Sequence, residues 1–79
     1  MPTVTAWPPK KKSKAMIAIE NANGGRDIRD LILERLETRK RDVDAAYSLG
    51  LYHGTLSAWI ARLSIEQEAS EARGRRIQS

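Results

Sequence analysis

Apolar residues recur along the chain at the 3–4 residue spacing of helices rather than in strand-like alternation. Ile28, Leu31, Ile32 and Leu36 share one face of a helix that Asp27 can cap, with Asp30 in its first turn. Arg29, Glu34, Arg35 and Glu37 occupy the other face, and Arg39-Lys40-Arg41 closes the helix at the end where its dipole favours cations. A short helix then starts at Arg41 or Asp42 and carries Val43, Ala45, Ala46 and Leu49. Gly50 stops it, because a left-handed backbone costs glycine least. Beyond Leu51 and Tyr52, a third helix places Leu56, Trp59, Ile60 and Leu63 inward. Ser64 with Gln67 makes a capping-box pattern, which predicts a last helix from Ile65 to about Arg73. Glu66 and Glu68 early and Arg73 late suit its dipole; Gly74 ends it, and the residues beyond should fray.

Upstream the pattern is weaker. Ser13 is a possible N-cap, and the Ala-rich run Ala15-Met16-Ile17-Ala18-Ile19-Glu20 favours helix up to Asn23, although a short strand remains open. Gly24-Gly25 is a firm break. Met16, Ile17 and Ile19 are not needed by the three-helix unit, so they are the candidate surface for a homodimer. Three prolines within Met1 to Pro9 predict an extended arm, in which Trp7 stands out. The expected organisation is a basic flexible arm over 1–14, a linker and oligomerisation candidate over 15–26, a helix-turn-helix domain over 27–73 with its motif at 42–62, and a basic tail over 74–79. The fold class is all-α: a small helix-turn-helix domain of three core helices with extra terminal helices.

The stretch from Asp42 to Ala61 carries the most information. Two helices that cross steeply through a tight turn need a small residue at their approach, which Ala46 supplies. They also need a sharp backbone reversal four residues later, which is Gly50, and an apolar plug after it, which is Leu51. At these positions the chain resembles bacterial and phage helix-turn-helix regulators. The block Ala45-Ala46-Tyr47-Ser48-Leu49-Gly50-Leu51-Tyr52-His53-Gly54-Thr55-Leu56 looks most like the Fis-type (factor for inversion stimulation) unit, with its AA-x-x-x-G-[IL]-x-x-x-TL pattern. Thr55-Leu56 with Trp59 is similar to the TLxxW of transposase and phage recognition helices. The resemblance covers about 40 of the 79 residues.

That resemblance implies a recognition helix at about 53–63 lying in the major groove of double-stranded DNA. The base-facing candidates it implies are Tyr52, His53, Gly54, Thr55, Ser57, Ala58 and Ala61, with Arg62 at the end on phosphate. This chain departs from the Fis pattern there, since the family's recognition helix is rich in Arg and Lys. It has no Arg for a guanine and no Asn or Gln for an adenine, so the strongest direct-readout pairings are missing. Tyr52, His53, Thr55 and Ser57 can make single hydrogen bonds, and Ala58 or Ala61 can meet a thymine methyl. Lys10, Lys11, Lys12, Lys14, Arg39, Lys40 and Arg41 are the further phosphate candidates.

Composition narrows the classes. With 79 residues and sixteen Leu, Ile and Val, the chain supports one marginal domain at most. The net charge of +4 is unevenly spread: residues 1–14 carry +4 and residues 73–79 carry +3. Residues 15–72 hold all ten acids against seven bases. This pattern fits basic arms that seek phosphates, attached to a mildly acidic body. The absence of Cys removes disulfides and thiolate chemistry, and one His is no metal site. No nucleophile–base pair or phosphate-binding glycine loop is present, so neither an enzyme nor a cofactor is expected. No apolar run approaches membrane-spanning length and the first residues lack a secretory pattern, so a cytoplasmic protein, nucleoid-associated or in a phage-infected cell, is expected. The leading expectation is a dimeric DNA-binding regulator or recombination factor. The alternative is an interaction module for polymerase, replication or phage packaging machinery.

Overall fold

Ser13 caps the first helix: its Oγ accepts the Met16 N–H at 3.2 Å at the start of α1 (Lys14–Ala22). The computed structural model describes residues 12–76, which form five helices and no strand. The Ala15–Glu20 run is therefore helix rather than strand. It ends where Gly24 and Gly25 take positive φ and the Gly25 N–H closes on the Glu20 carbonyl at 2.8 Å. Met16 turns inward and is fully buried, whereas Ile17 is 44% exposed. Met16 is thus a core residue and not free dimer surface, because α1 needs an anchor against α2. Ile19 also packs partly against that core.

In α2 (Ile28–Thr38), Asp27 caps as expected, accepting the Arg29 N–H at 2.8 Å. Ile28, Leu31, Ile32 and Leu36 are fully buried. Glu20, reaching over from α1, accepts the Ile28 N–H at 2.7 Å and satisfies another donor that the helix start leaves unpaired. Arg29 departs from its expected solvent face and is only 3% exposed. Its guanidinium forks onto Asp27 at 2.9 Å through Nε and Nη2, which makes that burial tolerable. Lys12 completes the cluster, donating to Glu20 at 2.6 Å and Asp27 at 3.1 Å.

The turn between α3 (Asp42–Ser48) and α4 (His53–Arg62) follows the glycine logic. Gly50 has φ 76°, its N–H reaches the Tyr47 carbonyl at 2.9 Å, and the Leu51 N–H reaches the Ala46 carbonyl at 2.8 Å. Ala45 and Ala46 are buried where the two helices approach, and Leu51 packs against the core beside them.

The junction with α5 (Glu66–Gly74) corrects the sequence reading. Ser64 does not cap α5 with Gln67; it holds the left-handed conformation at φ 58°. Its N–H closes on the Ala61 carbonyl and the Ile65 N–H on the Ile60 carbonyl, both at 3.1 Å. Ser64 is thus committed to ending α4 and lacks the extended backbone of an N-cap. Ile65, at the N-cap of α5, and Ala69 and Ala72 within the helix are buried. Helix α2 is the hub, packing against α1, α3 and α5, while α4 lies on α3 and α5.

Candidate nucleic-acid interface

Helix α4 buries Leu56, Trp59 and Ile60 and turns its other face to solvent. Tyr52, His53, Gly54, Ser57, Ala58, Ala61 and Arg62 are exposed along that face, and Thr55 is half-buried at its edge. The face contains no acid. The Tyr52 ring sits 4.6 Å from the His53 ring, tilted by 45°. It also leans over Gly54, where a Cβ would come within 2.9 Å of Tyr52 Cε2. Glycine at 54 therefore allows the aromatic ring to fold back across the first turn of α4.

The candidate phosphate ligands divide into free and committed cations. Lys10 and Lys11, with the rest of the arm over 1–11, lie outside the described residues. Lys12 is committed, and its Glu20 hydrogen bond raises its pKa. Arg41 pairs with Asp44 at 3.2 Å. Lys14, Arg39, Lys40 and Arg62 are exposed and make no ion pair among the described residues.

The C-terminal arginines do not form a free basic tail over their described part. Arg73 meets Asp42 at 2.9 Å and Arg75 meets Glu37 at 3.2 Å. Arg76 donates to the Leu36 carbonyl at 2.9 Å, the Lys40 carbonyl at 3.0 Å and Asp42 at 2.7 Å. Residues 75 and 76 therefore clasp the end of α2 and the start of α3 instead of fraying. Burial pushes the Asp42 carboxyl up, but hydrogen bonds from Arg73 and Arg76 outweigh it and hold the pKa below the ordinary value.

The Asp42–Arg73 pair forms one wall of a groove of about 290 Å³ beside α4, lined by Asp42, Val43, His53, Leu56, Ser57, Ile60 and Arg73. Of the predicted base-facing residues, it gathers His53 and Ser57. Asp42, Val43 and Arg73 join them without any local sequence signal, since Asp42 and Arg73 meet across 31 residues. The structural turn residues Ala46, Gly50 and Leu51 lie behind the face and orient α4 against α3. Among the described residues, no helix is long and apolar enough to cross a membrane. No protein-family model, curated protein or solved structure matches the chain.

Proposed function

We propose that this chain binds double-stranded DNA, with α4 in the major groove and free cations around it on the phosphates. The observation that carries the reading is the acid-free outer face of α4, exposed from Tyr52 to Arg62, which makes no ion pair among the described residues, and oriented by the Gly50 turn. Its small side chains at Ser57, Ala58 and Ala61 allow close approach to base edges. Arg39 and Lys40 immediately precede the start of α3, whose Asp42 shares the groove with His53 and Ser57. They are therefore at hand for the flanking phosphate backbone.

The regulator or recombination-factor role belongs to the same proposal, as does action as a homodimer, which would double the site read by one small unit. On α1 the surface left for a second copy includes Ile17, so Ile17→Asp should give a monomer by light scattering. An unchanged mass would sink that part.

Fluorescence anisotropy with a random-sequence duplex tests the DNA reading. Ser57→Glu and Ala58→Glu should abolish binding while leaving the helical circular dichroism intact. Replacing Arg39, Lys40 and Arg62 by Ala should flatten the slope of log affinity against log salt by about 0.9 for each phosphate no longer neutralised. If wild type and the Glu variants bind alike, α4 is not the reading element. A second reading, a protein-interaction module for polymerase, replication or packaging machinery, draws on Tyr47 and Tyr52, which are 64% and 65% exposed on either side of the Gly50 turn. Wild type that binds no duplex even at low salt would favour it.

A further inference from the structure

The groove between α3, α4 and α5 has a chemistry of its own. Val43, Leu56 and Ile60 supply an apolar floor, with polar groups from Asp42, His53, Ser57 and Arg73 around it. The hydrogen-bonding capacity of those polar groups is unevenly used. Both Asp42 oxygens are occupied: Arg73 Nε reaches them at 3.1 and 3.0 Å, and Arg76 Nη2 takes Oδ1 at 2.7 Å. Arg73 Nη1, the His53 ring and the Ser57 hydroxyl make no hydrogen bond among the described residues. Arg73 Nη1 can only donate, while the His53 ring and the Ser57 hydroxyl can each donate or accept, so the three can converge as donors on one acceptor group. Within the lining the Asp42 carboxylate is already paired with the Arg73 guanidinium, so its charge is offset before a ligand arrives.

We propose that the groove binds a small carboxylate carrying a short apolar tail. The carboxylate takes hydrogen bonds from Arg73, Ser57 and His53, and the tail covers Val43, Leu56 and Ile60. A volume of about 290 Å³ suits a small molecule rather than a partner helix. On the reading that α4 enters DNA, His53 and Ser57 serve both ligands, so a bound carboxylate and DNA exclude one another. The groove assignment itself does not rest on that reading and is tested without DNA.

The test is a titration of the ¹⁵N-labelled full chain, followed by NMR, with hexanoate, benzoate, acetate, hexanol and hexylamine as probes. Hexanoate and benzoate should give saturable shifts confined to Val43, His53, Ser57 and Arg73. Acetate should bind more weakly, because it leaves the floor uncovered. Arg73→Gln should weaken hexanoate about tenfold, the size of one missing charge-assisted hydrogen bond. Since that variant also breaks the ion pair to Asp42, Ser57→Asp provides a second arm: it lies on exposed α4 surface, and its charge should abolish hexanoate binding without unfolding. Shifts equally strong with hexylamine or hexanol, shifts scattered over the surface, or no saturable shift with hexanoate would each overturn the proposal.

Discussion

Ser64 and Gly50 hold the same left-handed backbone conformation at the ends of successive helices, φ 58° and 76°, but only Ser64 does so against a Cβ. The left-handed region costs a residue with a side chain about 1–2 kcal/mol relative to its ordinary conformations. Ser64→Gly should therefore raise stability by about 0.5–1 kcal/mol, after allowing for the greater freedom of glycine in the unfolded chain. Gly50→Ala should lower stability by about 1 kcal/mol. A Cβ at position 50 meets nothing within 4 Å, so this loss reports backbone strain alone. Urea denaturation of both variants checks the pair; a Ser64→Gly chain no more stable than wild type would contradict the strain argument. The capping-box pattern at Ser64 and Gln67 concealed this role, because a serine that ends one helix looks in sequence like a serine that starts the next.

At the scale of elements, α1 and α2 are joined by a small charge network as well as by Met16. Asp27 receives Arg29 and Lys12, and its hydrogen bond to the Arg29 guanidinium holds its carboxyl well below the usual carboxylate range. Asp42 is held low in the same sense between α3 and α5. A carboxyl whose folded pKa is depressed contributes stability that is complete above its unfolded value, near 3.8, and lost as pH falls below it. The fold should therefore be insensitive to pH near neutrality and weaken below about pH 4. Thermal melts between pH 7 and pH 2 should show Asp27→Asn less stable than wild type at neutral pH, with the gap closing as pH drops. A gap that stays constant would mean that Asp27 acts through packing or capping rather than charge. The helices themselves were legible in sequence, since Ile28 to Leu36 and Leu56 to Leu63 repeat their apolar residues at helical spacing around unambiguous breaks. The burial of Arg29 was not, because its fork onto Asp27 depends on side-chain geometry rather than on period.

For the whole molecule, the partition of charge changes meaning. The basic ends looked like arms for phosphates, yet Lys12, Arg73, Arg75 and Arg76 are all engaged with acids or carbonyls of the body. The partners of those arginines lie 31 to 40 residues away, beyond the reach of any local pattern. The inward side chains of α4, Leu56, Trp59 and Ile60, were recognisable from their own spacing, whereas the groove beside them needed three helices brought together. That separation also has a temporal consequence. Interactions closing such long loops come late on the route to the native state, because the loop entropy is lost before the closure returns anything. Losing Arg76 should therefore shorten the life of the folded chain more than it delays its formation. With about 1 kcal/mol at stake, Arg76→Ala should unfold roughly fivefold faster in stopped-flow denaturation and refold at nearly the wild-type rate. Equal slowing of refolding would place the clasp in the folding nucleus instead. On this account the last arginine is a latch on the dwell time of the native state, closing an architecture that the other helices have already assembled.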